Sequence, residues 1–306
     1  MNSGVLLLVA AMAGSGLTGD VGGYLERSAE AEFSGEQYVS CATPDGDRTA
    51  VFEVAQVEGT VVAWAGSEGT PVLTMGPGRS ATISGDEVEA AVVEGSGVTG
   101  GSDAFEVGPT SDGTYLGRDV VEVSLLRGGE ERVLLTVDTE TDAVMRARTF
   151  DASGDLYCER RMLTFNAGTA EIPEVGTIEV EADSPTDDVP DLLPSEIEGF
   201  VLLDTYTLDD GTLSYYSDGY FSAGVVVTDR PLGFGPEDEI TTVSDEAGVY
   251  RRSYQAGSVT VTWESHEGNL AVIGDVPPDL LDSILEGLPA PSTEGFFGRM
   301  WSRIFG

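Results

Sequence analysis

Apolar and polar positions alternate with a period of two along much of the chain, most clearly between Arg118 and Phe165. That stretch reads RDVVEVSLLR, GGEE, RVLLTVD, TETD, AVMRARTFD, ASGD, LYCERRMLTF: alternating runs separated by short turns that are acidic or hold Gly or Ser. Successive side chains of a strand point to opposite faces, so the pattern predicts a β-meander of four antiparallel strands. Val121, Val123 and Leu125 alternate with Glu122 and Ser124, and Val133, Leu135 and Val137 repeat the spacing in the next run.

The same reading extends in both directions. Residues 21–33 place Tyr24, Leu25, Ala29 and Phe33 roughly on one helical face, which predicts a short helix. SGEQYVSCAT, AVFEVAQVE and TVVAWAGS follow as strands, with turns at Pro44–Asp47 and Glu58–Gly59. Residues 67–114 are less regular, with one strand-like piece, PVLTM, and an acidic piece, DEVEAAVVE, that suits helix or strand. After Asn166 the pattern lapses into EVEADSPTDDVPDLLPS, an acidic, Pro-rich linker. A second β region starts at Gly199 with FVLLDTYTL, LSYYS, YFSAGVVVT, GVYRRSYQ, SVTVTWES and NLAVIGDV. Pro277-Pro278 then opens a helix with Leu280, Leu281, Ile284 and Leu285 on one face. The expected organisation is a signal-like segment at 1–20, an open β-barrel domain at 21–170, a linker at 171–195, a smaller α+β domain at 196–290 and an amphipathic tail at 291–306.

Composition narrows the function classes. An apolar content of 41% and a mean hydropathy of −0.03 suit a globular chain of 306 residues, and 40 Gly suit many turns. The 54 acids outnumber 15 bases, all Arg, for a net charge of −39. Such a surface repels nucleic acid and anionic headgroups. The acids are spread along the whole chain, as expected of a surface adapted to a salty or alkaline exterior. Against that background Arg146, Arg148, Arg160 and Arg161 fall close together. Either they neutralise carboxylates on the solvent face, or they form a positive island for an acidic linker or partner.

Candidate chemistry is sparse. Cys41 and Cys158 lie in separate predicted strands with no C-x-x-C motif. They are either two buried thiols or one disulfide; a bridge would close a loop worth about 4–5 kcal/mol in the chain-entropy model. The run from Val5 to Ala13 has the length of a signal-peptide core, with Ala11-Met12-Ala13 as a cleavage site, although a basic leader is missing. In the tail, Phe296, Phe297, Met300, Trp301, Ile304 and Phe305 form one apolar face beside Arg299 and Arg303. That face either meets a membrane interface or partner, or packs on its own domain. Two G-x-G-x-x-G stretches, at Gly14–Gly19 and Gly95–Gly100, lack the strand–helix context of a dinucleotide site and read as turns. His266, the one histidine, sits in a turn, and no G-x-S-x-G or full calcium loop is present. No catalytic, metal or cofactor constellation emerges, which makes an enzyme the least expected class.

The order of these stretches resembles the RseB/MucB family of exported sigma-factor regulatory proteins, in the form found in high-GC Gram-positive bacteria. The likeness is carried by Phe33–Ser40, the hairpins from Asp142 to Arg161, Gly199–Asp204 with Leu213–Tyr220, and the Asp275-Val276-Pro277-Pro278 helix start with the tail at Gly295–Arg299. The resemblance implies a first domain similar to the carriers LolA and LolB, an incompletely closed antiparallel barrel with helices over an apolar cavity. Val121, Val123, Leu125, Val133, Leu135 and Val137 would line it and hold a lipid tail, lipoprotein or apolar peptide. It further implies that the second domain and the interface between domains engage the extracytoplasmic part of a membrane-bound anti-sigma factor, in the cell envelope. The alternatives are a LolA-type lipid or lipoprotein carrier, and a structural envelope module with a filled barrel and no ligand.

Overall fold

A computed structural model describes residues 27–28, 31–57, 60–64, 71–76, 79–82, 104–168, 189–208, 211–230, 232, 240–245, 248–255 and 257–292. The signal-like segment, most of the predicted first helix, the acidic piece at 86–94, the linker up to residue 188 and the tail from residue 293 lie outside the described residues. The chain forms two antiparallel sheets. In the first are β1 (Phe33–Cys41), β2 (Arg48–Val57), β3 (Thr60–Trp64), β4 (Pro71–Gly76), β5 (Arg79–Thr82), β6 (Glu106–Tyr115), β7 (Arg118–Arg127), β8 (Glu130–Asp138), β9 (Val144–Phe150), β10 (Leu156–Met162) and β11 (Asn166–Ala167). Their order is β5-β4-β3-β2-β1-β10-β9-β8-β7-β6, with β11 beside β1. Two meanders are thus joined through the β1–β10 pair, and no pairing between β5 and β6 closes a barrel among the described residues.

The turns of the second meander follow from local chemistry. Between β7 and β8, Gly128 and Gly129 sit at φ 61° and 84°, the positive pair that a tight hairpin with the strands' own twist demands. Between β8 and β9, Asp138 Oδ2 accepts from the Thr141 amide at 2.9 Å and from its hydroxyl at 2.7 Å. Arg118 Nε and Nη2 donate to the two Asp138 oxygens at 2.7 and 3.0 Å. Burial works to raise the Asp138 pKa, but the hydrogen bonds from Arg118 and Thr141 outweigh it and hold the carboxyl below its ordinary value. Strand β6, which the sequence pattern does not predict, is the edge of the sheet and largely exposed. Its register shifts between Val107 and Thr110, around Gly108-Pro109. A Pro lacks the amide for a ladder, and an edge with a bulge is where it is tolerated; one such strand shows no clean alternation.

The second sheet comprises β12 (Glu196–Ile197), β13 (Phe200–Leu208), β14 (Gly211–Ser217), β15 (Ser222–Thr228), β16 (Ile240–Asp245), β17 (Gly248–Gln255), β18 (Ser258–Glu264) and β19 (Asn269–Gly274). Its order, β12-β13-β14-β15-β19-β18-β17-β16, places β15, β19 and β18 in the middle, where nearly every residue is buried. The helix Pro278–Glu286 has Pro at its first turn with Asp279, where a carboxylate suits the positive helix end. Its four predicted apolar residues are all buried. Gly287 ends it, and no side chain fits there, because a Cβ would lie 2.5 Å from Ile197 Cγ2.

One apolar core runs through both sheets. Val123, Leu125, Val133, Leu135 and Val137 belong to the same cluster as Phe200, Phe221, Val225, Val272, Leu281 and Ile284. Phe105, just before β6, meets Tyr220 and Phe221 at ring distances of 6.0 and 6.1 Å. The first sheet's apolar face is therefore packed, where the sequence suggested the wall of an open cavity. Val121, also in the stripe, is partly buried against the same cluster.

Candidate functional site

Strand alternation decides which side chains reach the seam between the sheets. Registers Arg160↔Ala147, Ala147↔Leu135 and Leu135↔Val123 put Arg160 in the same row as the apolar stripe. Arg161, one residue on, pairs with Arg146, which pairs with Thr136 and, through it, Glu122 on the opposite face. The arginine cluster of the sequence is therefore split. On the outer face Arg146 donates to Glu159 at 2.7 Å, Arg161 approaches Glu159 at 3.5 Å, and Arg148 approaches Glu122 at 3.4 Å. Arg161 also lies over the Tyr38 ring at 4.9 Å.

Arg160 turns inward. Its Nη1 lies 3.1 Å from Asp275 Oδ2, just past β19, and its Nη2 donates to the Gly257 carbonyl at 3.0 Å. Gly257 has φ 94°, and a Cβ there would stand 3.2 Å from Arg160 Nη2, so the guanidinium and the turn fit only around glycine.

Two further arginines, which the sequence reading did not select, do the same. Arg127, at the end of β7, donates to Asp218 Oδ2 at 2.8 Å and to the Glu198 carbonyl at 2.7 Å, and covers the Phe200 ring at 5.5 Å. Arg132, in β8, reaches both Asp279 oxygens, at 3.0 and 2.8 Å, and donates from Nε to the Phe150 carbonyl at 3.0 Å. The signal for Arg132 was a charged residue beside the apolar run Val133–Val137; for Arg127 the sequence offers none, because its partners are about 70 to 90 residues away.

The receiving turn for Arg127 is built locally. Asp218 Oδ1 accepts from the amides of Tyr220 and Phe221 at 3.0 and 2.8 Å, and Ser217 Oγ donates to the Phe221 carbonyl at 3.0 Å. Asp218 is fully buried. Burial pushes its pKa up to about 6, against the pull of Arg127 and the two amides, with Asp275 adding to the rise. Asp275 is raised for the same reason, desolvation opposed by Arg160. Its Oδ1 has no hydrogen-bond partner among the described residues.

Cys41 and Cys158 face each other across β1 and β10 and are joined as a disulfide. They lie on the same face as Arg160, one row along, so the bridge ties the two meanders together beside the seam. The apolar face of the tail, Phe296 to Phe305, lies outside the described residues. Among the described residues no group of three or more His, Cys, Asp or Glu could hold a metal, and no helix is long and apolar enough to cross a membrane. An open cleft of about 430 Å³ on the second sheet, between Pro190 and Arg230, includes none of the stripe residues.

No protein-family model matches the chain, and no curated protein matches it by sequence. Among solved structures, a chain of the Pseudomonas aeruginosa MucA/MucB complex aligns with 90% of this chain and 100% of its own, at a TM-score of 0.52 and 17% identity. A crystal structure of MucB aligns with 88% of this chain and 98% of its own, at 0.50 and 16%. A LolA superfamily protein from Nitrosomonas europaea covers 85% and 95% at a TM-score of 0.22 and 10% identity, a likeness too low to carry an argument. The chain thus has a MucB-like fold, mostly β; among the described residues there are two antiparallel sheets, one helix and no closed barrel.

Proposed function

We propose that this protein is an exported binding protein, without enzymatic activity, that holds the extracytoplasmic segment of a membrane-bound anti-sigma factor. The observation that carries the reading is the alignment over 90% of this chain with a chain solved in the MucA/MucB complex. The absence of a catalytic motif in the sequence agrees with it, as does a seam built from paired side chains. The test is titration of the purified protein with the extracytoplasmic segment of a one-span anti-sigma factor from the same genome. Saturable heat of binding and protection of that segment from limited proteolysis are expected. If no such segment binds, the reading fails.

The packed stripe favours a structural envelope module without ligand as the second reading, ahead of a lipid or lipoprotein carrier. A lipid tail would have to enter where Val123, Leu125, Val133 and Leu135 are already wholly buried. Native mass spectrometry separates these two: a co-purifying lipid mass supports the carrier, and a bare mass supports the module.

A further inference from the structure

The three inward arginines reach the second sheet at separate points. Arg127 leaves the end of β7 for the β14–β15 turn, Arg132 leaves β8 for the first turn of the helix, and Arg160 leaves β10 for the end of β19. In each case a strand of the first sheet supplies the cation, and a turn or helix attached to the second supplies the carboxylate. Two pairs are largely withdrawn from water, Arg127 and Asp218 at 17% and 0% exposed and Arg160 and Asp275 at 15% and 8%; in the third Arg132 is buried at 7% and Asp279 is 30% exposed. Between these points lies the apolar stripe. We propose that the three pairs form a latch: they hold the second sheet over the stripe of β7 and β8, and the two sheets part as intact units, uncovering it, when the pairs are broken.

The physical reason is the cost of an uncompensated buried charge. Removing one partner of a buried pair leaves the other dehydrated, which is far less favourable than losing the pair altogether. Asp218 and Asp275 sit at the seam, not deep inside either sheet, so parting the sheets is the route by which water reaches them. Each sheet keeps its own ladder of backbone hydrogen bonds, and the first keeps its disulfide, so neither must unfold. Protonation is the competing relief. Asp218 is faced by Arg127, Tyr220 and Asp275, and Asp275 by Arg160, Tyr157, Tyr215, Tyr220 and Asp218. With Arg127 and Arg160 gone, the neighbouring phenols are neutral, the two carboxylates repel each other and the Tyr220 and Phe221 amides offset this only in part, so a mildly acidic solution neutralises the aspartates and closes the sheets again. The proposal concerns this chain alone and stands whether or not an anti-sigma segment binds.

The test uses the full chain with Arg127→Gln and Arg160→Gln together, and Arg146→Gln on the outer face as control. At pH ~8 the parted population should rise on the order of a hundredfold. It is read as a larger radius of gyration in X-ray scattering and stronger binding of a dye that lights up on apolar surface. The far-UV strand signal should stay, and at pH ~5 the radius should return toward the parent value. The control should match the parent throughout. Three outcomes overturn the latch: a double variant as compact and dye-silent as the parent at pH ~8, loss of strand signal together with compactness, or an expanded radius unchanged at pH ~5.

Discussion

The two faces of strands β7 to β10 carry the same kinds of residue and use them differently. On the outer face, Arg146, Arg148 and Arg161 meet Glu159 and Glu122, neighbours on the same sheet that remain partly in water. On the inner face, Arg160, with Arg132 from β8, meets aspartates more than a hundred residues away, Asp275 just past β19 and Asp279 in the helix. The outer arginines are screened and each pair contributes little, whereas the carboxylates of Asp275 and, at the end of β7, Asp218 are shielded, and the loss of their arginines strands a charge. The lesson is that the number of arginines in a stretch says less than the parity of each one and the bulges between them: one step along β10 moves a guanidinium from solvent to seam, and the register shift of β8 brings Arg132 in beside Val133.

The contrast can be broken at several points. The largest expected effect is at the inner face: replacing Cys41 and Cys158 by Ser should lower stability by about 4–5 kcal/mol, seen as a shifted denaturant midpoint. Arg127→Ala, which leaves Asp218 buried without its cation, should cost about 3–5 kcal/mol in the same measurement. Leu135→Ala opens a cavity in the shared core and should cost about 2–5 kcal/mol. Arg148→Ala on the outer face should cost less than about 1 kcal/mol, since its Glu122 contact is long and hydrated. A loss as large as that of Arg127→Ala would erase the distinction between the faces.

Acid sharpens the comparison, because two buried aspartates respond with opposite sign. Asp218 binds its proton more tightly in the folded chain, with a pKa of about 6 against the ordinary 3.8. Its contribution to stability is full below 3.8 and is lost as the pH rises through about 6. Asp138, held below its ordinary value by Arg118 and Thr141 against its burial, contributes above 3.8 and loses that contribution as the pH falls. Melting curves of the parent and Asp218→Asn across this range should differ mainly in slope between about pH 4 and 6, flatter in the variant. An unchanged slope would mean that Asp218 is ionised in the folded chain as readily as in the unfolded one.

Sequence by itself determined most of the strands of both sheets, the four-strand meander within three residues of its observed ends, and the helix with its four buried apolar residues. Period-two alternation and turn residues act over a few positions, so they can be read locally. The short strands β5, β11, β12 and β16 and the bulged edge β6 escaped, because two to six residues, or a strand interrupted by Gly-Pro, carry too little pattern. Tertiary structure alone decided what the apolar stripe does. The sequence showed Val123, Leu125, Val133 and Leu135 as an apolar face, and a bound lipid and a second sheet satisfy such a face equally well. It also decided that Arg160 parts company with Arg161, and that Arg127 and Arg132 join Arg160 at the seam. Their partners, Asp218, Asp275 and Asp279, are three acids among 54, and only the docking of one sheet on the other selects them.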